Sequence, residues 1–217
     1  MEIRGSKVIL RDWKEKDLSL FRSAFTKATE WLRLDAPYLA APNSDDLEAL
    51  IEKKSAMIQA EKPVPRSELV VADPSSDDLV GRVTSYWQSQ ETLWLSVGID
   101  IFFKTRWGAG RGHEALGLWC EYLFDAMPNL ARLDLRTWEG NERMVRLARR
   151  LGFQEEARFR KARVVDGRYF DALGFGILRE EWAARYSDGF QRHSHQILGL
   201  MQANITPTSG ATWRNDR

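Results

Sequence analysis

Apolar and polar positions along the chain fall into two rhythms, and the switches between them mark its elements. VILRDW, residues 8 to 13, reads as a strand running into a helix that carries Leu18, Phe21 and Phe25 at helical spacing. After the turn-forming stretch LDAPYLAAPNS, a second helix presents Leu47, Leu50, Ile51 and Ile58 on one stripe. Ser44 or Asn43 can cap it, and Asp45 and Asp46 suit the positive end of its dipole. Pro63 and Pro65 close it. SELVVA, LVGRVTSYW and LWLSVGIDIFF are then short, β-branched and aromatic, which predicts an antiparallel meander with turns at DPSSDD and QSQET. From Gly108 the period becomes helical, with Leu116, Trp119, Cys120, Leu123 and Met127 on one face, until Pro128 and Asn129. Strand ARLDLRTW follows, then a helix capped by Asn141 and stopped at Gly152, then two strands around the Asp166-Gly167 turn.

The predicted order is β-α-α-β-β-β-α-β-α-β-β: an α/β (α+β) fold with a mixed, mostly antiparallel sheet of about seven strands flanked by helices. No Pro/Gly/Ser-rich linker separates two cores, so residues 1–187 read as one domain and 188–217 as a C-terminal tail.

Composition narrows the function classes. Lys+Arg 32 against Asp+Glu 31 leaves a net charge of +1, which argues against a protein that grips nucleic-acid backbone. A chain of 217 residues can bury about 26,000 Å² on folding and needs no staples, and the single Cys120 has no partner for a disulfide. With no run of 18 apolar residues and no apolar core at the N-terminus, the expectation is a cytoplasmic protein with no membrane partner. Cys120 falls on an apolar helix face and reads as core, and His193 and His195 lack ligand partners nearby, so no metal is expected.

The most informative stretch is FFKTRWGAGRGHEALGLW, where a strand passes into a helix through Gly108, Gly110 and Gly112. Glycines there let backbone approach a ligand, and the free N–H groups of a helix start favour an anion such as a pyrophosphate. The same glycines also suit a plain tight turn. No GxxxxGK run exists for a P-loop, and the Rossmann GxGxxG fails at His113. Glu139, at the end of the next strand, keeps a nicotinamide-dependent oxidoreductase open as a lesser alternative.

These residues resemble the GNAT superfamily of acetyl-coenzyme A-dependent N-acetyltransferases, and within it the Rim-type branch that includes ribosomal-protein N-terminal acetyltransferases. The resemblance spans about Val8 to Trp182. It rests on Trp107-Gly108-Ala109-Gly110-Arg111-Gly112 in place of the signature Q/R-x-x-G-x-G/A, on His113-Glu114-Ala115, VGIDIF and Asn141-Glu142-Arg143, and on Leu151-Gly152-Phe153. It implies that acetyl-CoA lies between splayed strands, with pantetheine along Ile101, Phe102 and Phe103 and pyrophosphate on the amides from Gly108 to His113. Asn141, Arg143 and Arg146 are the implied polar and phosphate contacts. Trp107 departs from the signature, Met144 stands where many Rim-type members have Ser, and Ala148 where many family members have a Tyr acid. Those last two departures raise a second alternative, a coenzyme A-binding sensor without catalysis. A homodimer is also implied by the resemblance.

Acetyl transfer to an amine needs a base near the nucleophile and a donor for the developing oxyanion. Asp100 shares strand parity with Trp94, Ser96 and Gly98 and is the first candidate base, with Glu139 second. Asp100 also reads as a solvated or hydrogen-bonded strand residue, and Glu139, beside Gly140 and Asn141, as a helix-start carboxylate stabilised by the dipole. The resemblance places an acceptor loop at Trp31 to Tyr38, where Asp35 can attract a cationic amine and Trp31 or Tyr38 can stack on it or simply pack. Asp171 is a further acceptor-binding candidate. The acceptor itself, a protein N-terminus or a small amine, is left open.

Overall fold

The computed structural model describes residues 1–193. Eight strands form one sheet in the order β1-β2-β3-β4-β5-β6-β8-β7. They are β1 (Glu2–Arg4), β2 (Ile9–Arg11), β3 (Glu68–Ala72), β4 (Leu79–Ser89), β5 (Trp94–Ile101), β6 (Arg132–Trp138), β7 (Gln154–Val165) and β8 (Arg168–Leu178). The helices are α1 (Asp17–Thr26), α2 (Leu32–Asp35), α3 (Ser44–Gln59), α4 (Arg111–Ala126), α5 (Glu142–Leu151) and α6 (Arg179–Arg185). The predicted order is present, with β1, α2 and α6 as additions. None of the described helices is long and apolar enough to cross a membrane.

Local chemistry explains most boundaries. At α3, Asn43 is the cap: its side chain accepts from the Asp45 and Asp46 amides at 2.9 and 3.0 Å, while the Asp46 carboxylate accepts from the Asn43 amide at 3.0 Å. In the β3–β4 turn Asp73 accepts from the Ser75 amide at 3.0 Å. Asp166 and Gly167, at φ 48° and 74°, make the tight β7–β8 turn that Asp-Gly signals. At the start of α4 the buried Glu114 carboxylate accepts from the amides of Ser6, Lys7 and Val8 at 3.0, 2.6 and 3.0 Å and from the Ser6 hydroxyl at 2.6 Å. One carboxylate thereby fixes the turn between β1 and β2 against the helix.

Two cores lie on opposite faces of the sheet. The larger packs α4 and α5 on β-strand residues such as Val83, Leu95, Val97, Leu133 and Leu135, with Trp119 and Cys120 fully buried. The smaller holds Phe21, Trp31, Val70 and Phe102. Phe190, assigned to the tail from the sequence, is fully buried and stacks on Trp182 at 5.8 Å, over Gly117, where a Cβ would collide with its ring. His195 and the remainder of the tail lie outside the described residues.

Every pairing in the sheet is antiparallel except β5 with β6. That parallel pair registers only at Leu95↔Leu133 and Ser96↔Asp134, whereas β5 runs on beside β4 as far as Ile101 and β6 beside β8 as far as Trp138. The sheet therefore splits between β5 and β6. A Rossmann arrangement needs successive parallel crossovers, so this topology removes the nicotinamide alternative.

Candidate active site

The split opens a cavity of about 360 Å³ that reaches both faces of the sheet. On the α4 and α5 face its wall is Ile99, Ile101, Gly112, Met144 and Leu147, with Trp107, Gly108 and Arg143 at the rim. On the other face it is Trp31, Leu34, Asp35, Arg82, Thr84, Tyr86, Asp100 and Arg136.

The α4 face is built to take an anion and an extended chain. Gly108, Ala109 and Gly110 have φ of 79°, 50° and 80°, three left-handed residues in succession. They turn the chain into a 16-residue helix whose start no side chain caps. A Cβ at Gly110 would lie 2.8 Å from Lys7 Nζ, so Lys7 adds positive charge at this helix start. The Nε of Arg111 is buried with no partner. Beyond Ser96, the β6 side of β5 has no strand partner, which leaves an edge for a chain to pair with. These features fit the coenzyme that the resemblance implied.

The remaining predicted cofactor residues distribute unevenly. Ile101 and Trp107 line the cavity, but the Trp107 indole already donates to the Ile101 carbonyl at 2.7 Å. Phe102 is fully buried in the smaller core, its amide donating to the Val80 carbonyl at 3.0 Å, and Phe103 packs against it, so neither lines the cavity. His113 turns its ring to Phe190 at 5.5 Å. Burial, with the positive charges of Arg150, Lys7 and Arg185, pushes its pKa down to about 4, so the ring is neutral at pH 7. Arg143 lies over the Trp107 ring at 5.0 Å. Arg146 is exposed and pairs with Glu142 at 2.8 Å, away from the cavity. Asn141 lines the cavity, yet both halves of its amide are engaged: Oδ1 caps α5 through the Met144 amide at 3.1 Å, and Nδ2 donates to the Leu34 carbonyl at 2.8 Å. The Trp138 indole donates to the same carbonyl at 2.9 Å, so α2 is stapled to the start of α5.

The opposite face brings two carboxylates together. Asp100 receives Arg82 Nε at 2.7 Å, the two being direct cross-strand partners. Asp35 stands close enough to feel both. Part of Asp35 reaches water at the cavity mouth, but protein crowds its carboxyl, and that crowding first, then the Asp100 charge, pushes its pKa up to about 6 against the pull of Arg82. Behind Arg82 the charges continue inward: Glu68 lies 3.9 Å from it and takes the buried Lys54 ammonium at 2.5 Å and the Trp13 indole at 2.6 Å.

The remaining acceptor and base candidates are held by other contacts. Trp31 lines the cavity but is a packing residue, with Nε1 on the Ala24 carbonyl at 2.9 Å and its ring edge-on to Phe102 at 5.1 Å. Tyr38 lies under the Arg163 guanidinium at 4.5 Å, outside the cavity wall. Glu139, the second base candidate, is half-exposed and 3.7 Å from Arg158. Asp171 accepts from Arg158 at 2.9 Å and from the Lys161 amide at 2.9 Å; those partners hold its carboxyl below the usual range. Neither Glu139 nor Asp171 lines the cavity. The sequence reading missed Arg82, Tyr86 and Arg136. The signal for Arg82 was the β4–β5 pairing, in which opposite charges face each other only once the register is known.

The sheet splits at its one described parallel pair, with an uncapped helix start on one face of the cavity and two carboxylates on the other. The sequence matches the Acetyltransferase (GNAT) domain model over residues 7–154, and the chain belongs to that family. It is an acetyl-CoA-dependent N-acetyltransferase.

Solved structures share the fold. The ribosomal-protein-S5-alanine acetyltransferase from Vibrio fischeri is 18% identical, with TM-score 0.68 over 84% of this chain and 98% of its own. A GCN5-related N-acetyltransferase from Brucella melitensis is 20% identical, with TM-score 0.67 over 99% and 91%. Variant forms of the spermidine/spermine N-acetyltransferase from Vibrio cholerae are 21% identical, with TM-score 0.62 over 83% and 98%. No curated protein gives a significant match.

Proposed function

We propose that this enzyme acetylates an amine by direct attack, with Asp35 taking the amine proton and Asp100 held as a fixed anion beside it. The observation that carries the reading is the pair itself: two carboxylates in one cavity, one clamped by Arg82 and the other pushed up to about 6. When two carboxyl groups share a site, their different surroundings assign their roles. Asp100, bonded to Arg82 at 2.7 Å, is the fixed partner that attracts an ammonium group. Asp35 has the pKa that a base working near neutral pH requires.

Acetyl-CoA, when bound, would supply the acetyl group as a thioester; as the amine forms the new C–N bond the C–S bond breaks, and the proton taken by Asp35 is returned through water to the departing thiolate. The α4 start offers its amides to the phosphates, with Lys7 and Arg111 adding charge, and the free edge of β5 offers backbone N–H groups for pairing and for a developing oxyanion. Met144 contributes an apolar wall, and the buried Ala148 belongs to the core. The neighbours above act, by their names, on an alanine of ribosomal protein S5 and on spermidine or spermine, so the acceptor is read from the cavity and not from the fold.

The test is Asp35→Asn. Turnover is expected to fall by about 100-fold or more, as removal of a general base does. Acetyl-CoA at 100 times its Kd is still expected to raise the melting temperature by roughly 5–10 °C, because the coenzyme lies on the other face. Unchanged turnover in Asp35→Asn refutes the assignment.

A further inference from the structure

Four arginines line the cavity; two are paired with carboxylates, and a third, Arg143, stands at the rim on the α5 side. Arg82 is held by Asp100 at 2.7 Å, Arg106 by Asp73 at 2.7 Å, and Arg143 lies on the Trp107 ring. Arg136 differs. Its nearest carboxylate among the described residues, Asp134, is 4.0 Å away and already accepts the Ser96 hydroxyl at 2.6 Å. The Arg136 side chain is 52% exposed, and its guanidinium lies 5.7 Å from the Trp94 ring centroid. Resting against an aromatic ring still leaves a guanidinium N–H groups to give an anion.

Its position relative to the amine site follows from the register. Ser96 stands opposite Asp134. Arg136 is two residues further along β6 and Asp100 four residues further along β5, so the cation sits about two residues, or roughly 7 Å, behind Asp100 along the strand direction. Alternation puts Arg136 on the same face as Trp138, whose indole bonds to Leu34 beside Asp35. An amine at Asp35 and an anion at Arg136 therefore belong to one occupant.

A second observation extends this positive surface beyond the cavity. Arg163 over the Tyr38 ring ties the β7–β8 hairpin to the loop that follows Asp35. The acids at the base of the hairpin are spent: Glu155 and Asp171 on Arg158, and Glu156 on Arg132. Towards the tip, none of the side-chain cations of Arg160, Lys161, Arg163 and Arg168 has a carboxylate oxygen within 4.0 Å among the described residues; Asp171 accepts from the Lys161 backbone amide, and Asp166 stands at the turn with them. Phe159 and Tyr169 are 62% and 66% exposed beside them. A polycation is repelled by this rim. Arg136 stands opposite Gly174, and Arg168 at the hairpin is six residues away along β8, roughly 20 Å, so a small zwitterion at Arg136 does not span to the tip whereas a chain with several carboxylates does.

We propose that the acceptor is the amino terminus of an acidic peptide segment, its amine between Asp35 and Asp100 and its carboxylates on Arg136 and the β7–β8 hairpin. This rests on the reading of Asp35 and Asp100 as the amine site. Complementary charge of this kind acts on encounter and register and weakens with salt.

The experiment measures kcat/KM for three peptides with the same N-terminal residue, followed by two Asp, two Gln or two Lys, with spermidine as a fourth acceptor. The expected order is Asp over Gln over Lys and spermidine, with at least about a tenfold span at low salt that narrows as salt is added. In the double variant Arg136→Gln, Lys161→Gln the Asp-to-Gln ratio is expected to collapse towards one. Because the ratio is taken within each enzyme, a general loss of folded protein does not alter it. Equal rates in the wild type, preference for the Lys peptide or spermidine, no transfer to the Asp peptide, or a ratio unchanged by the double variant overturns the proposal. If the amine-site reading alone fails, Asp35→Asn retains turnover while the acidic preference survives. If only this inference fails, Asp35→Asn is inactive and the preference is absent.

Discussion

At the scale of single residues, Asp35 links catalysis to stability. Its carboxyl is raised in the folded state to about 6 from an ordinary value near 3.8. The protonated form is thus favoured by the fold, and that contribution is present at low pH and lost as pH rises through about 6. Asp35→Asn is therefore expected to melt higher than the wild type at pH 8 and level with it below about pH 4, a difference thermal scans at the two values will read. Glu114 is the opposite case, a buried carboxylate whose four hydrogen bonds hold the turn of residues 6–8. Glu114→Ala strands those donors and is expected to cost about 3 kcal/mol or more in urea denaturation. Asp100, which the sequence offers as the base, and Asp35, which it offers only as an attractor of the amine, both line the cavity, but the sequence does not show that they share it. Arg82 was not legible, because its partner lies across a hairpin whose register is broken between Trp87 and Ser89.

At the scale of elements, the start of α4 and the start of α5 do different work. Three glycines made the first legible as a strand-to-helix turn with exposed amides, but the left-handed Ala109 and the approach of Lys7 come from the folded backbone. Gly110→Val places a β-branched residue at φ 80° and against Lys7, and is expected to weaken acetyl-CoA binding at least about tenfold in calorimetric titration. Asn141 was read as a cap and as a coenzyme contact; the cap is present, and its second bond staples Leu34. Asn141→Asp keeps the cap acceptor and loses that donor. The expected result is a rise in acceptor KM of about fivefold, worth about 1 kcal/mol, with acetyl-CoA affinity unchanged. Long periodic elements such as α3, α4 and the meander were legible because their burial pattern repeats. The three-residue β1 and four-residue α2 are too short to show a period.

At the scale of the molecule, the split between β5 and β6 organises everything else. It sets an uncapped helix start and an open strand edge on one side of a 360 Å³ cavity and the Asp35–Asp100 pair on the other. Element order made the fold class legible, but not where two strands part company, since that depends on pairing that stops at Ser96. The buried run from Lys54 through Glu68 and Arg82 to Asp100 likewise joins positions that are distant in the chain.

The central claim, that Asp35 takes the proton of the attacking amine, is tested most directly by the pH dependence of kcat/KM in the wild type divided by that in Asp35→Asn. The acceptor's own ionisation cancels in this ratio. It is predicted to rise with pH, turn over near 6 and stay level above; a ratio that is flat from pH 5 to 8 contradicts the account.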